Sequence, residues 1–138
     1  MVRNPVDRYL TTQVQSCTRG EVVLLLYDAA IRCISRAELA LEERRLDLAN
    51  ARLVWTQNIM LELVSRLDLE RGGDLAGKLG DLYLYMYRTL LQANLHKDAD
   101  SANGVKHLLE LLRAAWRTSL SLDAQSRGEY RVREGVAG

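Results

Sequence analysis

His96, His107, Cys17 and Cys33 are the side chains of this sequence best suited to hold a metal or attack a substrate, and their spacing leaves them little to do. A metal site needs several convergent ligands. No Glu-x-x-His pair is present, and His107-x-x-Glu110 has the reverse order in a single copy, so a carboxylate-bridged metal bundle is not supported. A phosphoacceptor histidine on a helical bundle would carry a Lys-Gly type signature after it. His96 instead precedes an expected loop, and His107 is followed by Leu108-Leu109-Glu110, so both read as solvated helix positions. The cysteines are far apart and form no C-x-x-C pair, which argues against a zinc site or a disulfide framework. Cys33, next to Ile34, reads as a small buried residue. Asp28, Asp68 and Asp81 stand alone along helices and offer no paired carboxylates for acid–base work. Gly72-Gly73 reads as a helix-ending turn rather than a phosphate cradle. No catalytic constellation emerges, so the chain is expected to be a binding protein and not an enzyme, with no metal and no cofactor.

The 138 residues suit one domain with a core of useful size. Nineteen Lys and Arg against 18 Asp and Glu give a formal charge of +1, without the basic excess of a nucleic-acid binder. The segment MVRNPVDRYL has no signal-peptide apolar core, and the longest apolar run, 22–27, is too short to span a bilayer. A cytoplasmic protein without membrane insertion is the expectation.

The elements that would position any site are helical. Pro5 is the only proline, Phe is absent and strand-type alternation never persists, while Leu, Ala, Glu and Arg abound. Thr18-x-x-Glu21 is a capping box that opens the first long helix. Val23, Leu26, Tyr27, Ala30, Ile34, Ala37 and Leu41 form its apolar stripe, which ends at the polar corner 42–45. Ala49, Leu53, Met60, Leu63 and Leu67 follow on a second helix, expected to stop at Gly72-Gly73. Leu75, Leu79, Leu82, Met86, Leu90 and Ala93 mark the third, opened by Asp74. Val105, Leu108, Leu112, Ala115 and Ser119 mark the fourth, opened by Asp100 or Ser101. The spacing thus predicts helices over 18–44, 47–71, 74–97 and 100–120. Short connections make them an all-α, antiparallel up-down four-helix bundle. Residues 1–17 form a short N-terminal helical arm, 18–120 the bundle, and 121–138, where the apolar pattern fades, a tail expected to be disordered.

Beside each core stripe stands a second apolar set: Leu24 and Ile31; Leu48, Trp55 and Ile59; Leu84, Tyr87, Leu91 and Leu95; Leu109, Trp116 and Leu120. Bundle helices bury wide arcs, and a fifth element such as the arm can cover the remainder. Alternatively, part of the surplus forms a groove for a partner helix. The stripe Leu84, Tyr87, Leu91 and Leu95, together with Ile31, is the candidate groove, and Tyr9 and Leu10 of the arm would cover apolar surface when no partner is bound.

Several segments in collinear order resemble the FliS family of flagellar secretion chaperones, which bind flagellin. They are Asn4-Pro5 with Tyr9, Leu26-Tyr27-Asp28-Ala29-Ala30-Ile31, Gly72-Gly73-Asp74-Leu75-Ala76 and Leu82-Tyr83-Leu84-Tyr85-Met86. Leu90-Leu91-Gln92-Ala93-Asn94 and the run 108–116 continue the likeness. Two departures stand out: Thr18-Arg19-Gly20-Glu21-Val22 replaces the family's Ser/Thr-Pro-Glu-Glu-Leu cap, and Ala29 replaces its usual Gly. The resemblance implies cytosolic binding of the C-terminal helical segment of flagellin, prevention of premature polymerisation and delivery to the flagellar type III export gate. It also implies Tyr9, Ile31, Tyr87, Asn94 and Leu95 as client contacts. A generic helical adaptor or dimerising bundle for an unrelated amphipathic segment is the alternative.

Overall fold

The structure, a computed structural model, describes Val6 and the backbone of residues 18–137, with side chains to residue 126. Four helices follow one another: α1 Arg19–Glu42, α2 Leu46–Ser65, α3 Leu69–His96 and α4 Ala99–Ala137. Among the described residues there is no strand. α1 packs on α2 and α4, and α3 packs on the same two helices, so α1 and α3 face each other across the diagonal of an antiparallel bundle. The expectations for Tyr9, Leu10 and the rest of 7–17 lie outside the described residues. Val6 is fully buried in the bundle core.

The helix ends show which local signals won. Thr18 Oγ1 accepts the Glu21 N–H at 3.2 Å, which is one half of the expected capping box. α1 closes with Arg44 in the left-handed region at φ 60. There Arg45 N–H donates to Ala40 O at 2.8 Å and Arg44 N–H to Leu41 O at 3.2 Å, a Schellman closure made without glycine.

The second boundary differs from the expected one. α2 stops at Ser65, and Asp68, read from sequence as an isolated acid, opens α3 by accepting the Arg71 N–H at 3.1 Å. Gly72-Gly73 therefore does not end α2. Gly73 instead bends the start of α3, at φ 54 and ψ −133, a conformation open to glycine alone. The α3–α4 boundary shifts in the same way. Asp98, not Asp100 or Ser101, caps α4: its Oδ1 accepts the N–H groups of Asp100 at 3.1 Å and Ser101 at 3.3 Å, and its Oδ2 the Ser101 hydroxyl at 2.6 Å. These bonds, the Ser101 hydroxyl foremost, hold the Asp98 carboxyl below its ordinary pKa. The last helix is longer than its apolar pattern. α4 does not end near 120 but continues to Ala137, although residues 121–126 are all exposed. The Leu, Ala, Gln, Arg and Glu of this extension are residues that suit a helix.

The core contains most of the expected stripes, including Leu26, Ile34, Leu53, Met60, Leu63, Met86 and Leu90, all 0–1% exposed. Leu75, Ala115 and Ser119 are exposed instead, while Ile59 and Leu109 from the surplus sets are fully buried. The reason lies in how far each helix rotates. α4 centres its inner face on Ala102, Val105 and Leu109, which turns Ala115 and Ser119 outward. Leu75 follows the Gly73 bend and sits at the rim of the bundle end.

One polar contact of the core joins two helices. The hydroxyls of Tyr27 and Tyr83 meet at 2.6 Å, joining the diagonal helices α1 and α3. The Tyr27 ring lies edge-on to Trp116 of α4 with centroids 6.4 Å apart, and the Trp116 indole N–H donates to Gly20 O at 3.0 Å. Burial pushes both phenols above their ordinary pKa. A raised pKa means stability present below the ordinary tyrosine range and lost as alkaline pH ionises the pair.

Tyr83→Phe should cost about 1–3 kcal/mol in urea unfolding, because it strands the buried Tyr27 hydroxyl, and adding Tyr27→Phe should restore part of the loss. A double variant as unstable as the sum of the singles would deny the bond. Asp98→Ala should lower the thermal midpoint at neutral pH, and the gap to the parent should narrow as acid protonates the cap in the parent.

Candidate functional site

The α3 stripe keeps its own face in the bundle. Gly80, Leu84, Tyr87, Leu91 and Asn94 follow one another at three- or four-residue steps, so they form one ladder along the helix. One end of the ladder meets the α2–α3 connection and the other meets α2. A side-chain carbon at Gly80 would stand 3.2 Å from Leu67 Cδ1, and Asn94 Nδ2 donates to Asn50 Oδ1 at 2.7 Å. The ladder therefore runs along the outer side of the α2–α3 seam.

These two contacts also set the antiparallel register, in which Leu91 stands level with Val54 and Leu84 level with Leu61. Val54 and Leu61 lie on the same side of α2 as Asn50, again at helical spacing. Val54 is 41% exposed and Leu61 43%, against 38% for Leu91 and 67% for Leu95, while Leu84 is half-buried and Tyr87 is half-buried against the core. An apolar surface shared by two helices results, and contiguous surfaces of this kind mark interaction sites on soluble domains. Chemically it offers apolar contact and one phenol, with exposed Arg88 between Leu84 and Leu91 on the same side of α3, which suits the apolar face of an amphipathic helix.

The other site residues read from the sequence fall elsewhere. Ile31 shares its side of α1 with Asp28 and Glu38, and both of those pair with α4. Arg113 Nη1 donates to Asp28 Oδ1 at 2.8 Å and Lys106 Nζ reaches Glu38 Oε1 at 3.0 Å. Ile31 thus belongs to the α1–α4 seam, on the opposite side of the bundle from the α3 stripe, and the expected grouping of the two does not form. Asn94 is placed at the edge of the stripe, but its amide is engaged within the protein, donating to Asn50 and accepting Lys97 Nζ at 2.6 Å. That pairing steadies the left-handed Lys97, φ 53, at the end of α3. Sequence reasoning missed Val54 and Leu61. Their seven-residue spacing off the Leu53–Met60 stripe was a usable signal, but only the register with α3 makes them part of one surface.

Among the described residues no group of His, Cys, Asp and Glu is arranged to hold a metal ion, and no helix is long and apolar enough to cross a membrane. Cys33 is buried, with its thiol pushed up in pKa by desolvation against the opposing effect of Arg52, Arg36 and Arg32.

If the outer face is separate from the core, Leu95→Ala and Leu61→Ala should each change the unfolding free energy by less than about 0.5 kcal/mol. Met86→Ala should cost about 2–5 kcal/mol in the same urea titration. Equal losses at all three positions would make the stripe ordinary core.

Comparison with known proteins adds what geometry alone does not. A family model described as Flagellar protein FliS matches residues 2–122. The flagellar secretion chaperone FliS of Bacillus subtilis is 32% identical over 126 residues, covering 91% of this chain and 93% of its own. That of Salmonella typhimurium is 37% identical over 105 residues, covering 75% and 78%. The Escherichia coli counterpart is 32% identical over 108 residues, covering 78% and 79%.

Proposed function

From the premise that this chain belongs to the FliS family of flagellar secretion chaperones, which are not enzymes, we propose that it binds the C-terminal helical segment of flagellin on the α2–α3 face. By covering that segment in the cytosol it prevents premature polymerisation and hands the subunit to the flagellar type III export apparatus. The observation that carries this reading is the outer ladder of α3 with Val54 and Leu61 beside it. A protein without a catalytic constellation displays there an apolar face fit for a helix.

The physical logic is that of masking. A segment disordered before assembly exposes its apolar anchors, and a rigid face that orders them as a helix removes them from other copies. Ordering the client costs free energy at the moment of binding, which keeps the complex reversible. Discrimination among clients then rests on the shape of the face and the spacing of their apolar anchors.

Flagellin cut into N-terminal, central and C-terminal fragments should be captured by this protein through the C-terminal fragment alone. In calorimetric titration with that fragment, Tyr87→Ala should weaken binding by about 1–3 kcal/mol, the loss typical of an aromatic anchor. Capture of the central fragment, or unchanged affinity in the variant, would count against the reading.

A further inference from the structure

Arg88 interrupts the apolar run on the outer side of α3. It stands four residues after Leu84 and three before Leu91, so it shares their side of the helix, and it is exposed. Its surroundings leave its charge unbalanced. One turn away along α3 are Leu84, Tyr85, Leu91 and Gln92, all neutral, and the nearest acid of the helix, Asp81, is seven residues off, roughly 10 Å along the axis. Across the seam the residue between Val54 and Leu61 on their side of α2 is Asn58, a neutral amide. The acids of α2 are Asp47 and Glu62. Asp47 lies beyond Asn50 at the far end of the seam, and Glu62 already accepts Arg66 Nε at 3.1 Å. Among the described residues Arg88 takes part in no ion pair, whereas Arg113 and Lys106 on the far side of the bundle both meet acids.

In the free protein this costs nothing, because water surrounds the exposed guanidinium. A partner helix laid over Leu84, Leu91 and Leu95 would strip part of that water away, and a charge that loses its hydration without gaining a partner is strongly unfavourable. A guanidinium presents a planar fork of N–H donors that matches the two oxygens of a carboxylate. An Asp or Glu set opposite Arg88 therefore replaces the lost water with a charge-assisted pair. A neutral or basic side chain in that place does not.

We infer that Arg88 is a specificity-determining residue of the α2–α3 face, one that selects a client helix carrying a carboxylate between two of its apolar anchors. The inference rests on the proposed chaperone reading and adds a charged contact to its apolar ones. The spacing follows from the face itself. Leu84 and Leu91 are seven residues apart with Arg88 between them, so the matching client has its acid three or four residues from each of two apolar anchors. Apolar anchors alone let a client slide by one helical turn, since the hydrophobic effect has no direction. The ion pair forbids the slide, and a segment in the wrong register is rejected by the unpaired cation it would bury.

The test is a charge exchange, read by calorimetric titration of the full-length chain with a synthetic C-terminal flagellin segment and with a set of peptides in which each Asp and Glu is replaced by Lys in turn. Arg88→Glu should weaken binding of the parent peptide roughly tenfold or more, and Arg88→Gln by less, with the thermal midpoint of both variants unchanged because the side chain is exposed. One Lys-bearing peptide should bind the parent protein poorly and recover most of its affinity with Arg88→Glu, and its substituted acid should lie three or four residues from two apolar positions. If Arg88→Glu binds the parent peptide normally while Tyr87→Ala loses affinity, the guanidinium stays in solvent in the complex, the inference is overturned and the chaperone reading stands. Loss of binding in Arg88→Glu that no Lys-bearing peptide restores would equally overturn it, by showing general repulsion rather than one pair. If neither Tyr87→Ala nor Arg88→Glu changes affinity, the client does not lie on this face, and the reading on which the inference rests fails with it.

Discussion

The hydrogen bond between Tyr27 and Tyr83 is the constraint on which the rest of the bundle hangs. Neighbouring helices can slide and rotate while keeping apolar contact, because the hydrophobic effect has no direction. A buried hydroxyl pair has both direction and length, and leaving either member unpaired is costly. At 2.6 Å it holds α1 and α3, which do not pack as ring neighbours, at a set distance and rotation across the diagonal. Trp116 extends the same control to α4 by lying edge-on to Tyr27 while its indole N–H is tied to the first turn of α1.

Once α3 is held by Tyr83, the direction of its other residues follows. Met86, Leu90 and Ala93 turn into the core beside Tyr83, and Leu84, Leu91 and Leu95 turn out along α2. A single helix therefore supports two surfaces with different duties. Substitutions on the inner one act through cavities, and those on the outer one act through a partner. Asn50 of α2 and Leu67 of the α2–α3 connection meet α3 at Asn94 and Gly80, with Val54 and Leu61 on the side of α2 that carries Asn50.

Electrostatics plays a supporting part. Asp28 with Arg113 and Glu38 with Lys106 close the α1–α4 seam at half-buried positions, and that seam carries Ile31 away from the α2–α3 face. Such pairs add modest stability but set register, because opposite charges must meet along the seam. Those pairs lie on the far side of the bundle from the outer face of α2 and α3, where Arg88 stands exposed among Leu84, Leu91 and Leu95.

By itself the sequence determined the number and type of elements, most core stripes and the existence of an outer stripe on α3, since 3.6-residue periodicity is a local property. It also carried enough motif order to show the FliS likeness. It did not settle the helix boundaries at Asp68 and Asp98, where two acids competed with glycine, serine and a second aspartate for the same cap, and packing chose between them. Nor could periodicity tell that Leu75 would be exposed and Leu109 buried, because each lies at the edge of an arc whose rotation neighbouring helices decide. Only the tertiary structure separated Ile31 from the α3 stripe and joined Val54 and Leu61 to it. Those features depend on which residues of different helices stand side by side, and no spacing within one helix encodes that.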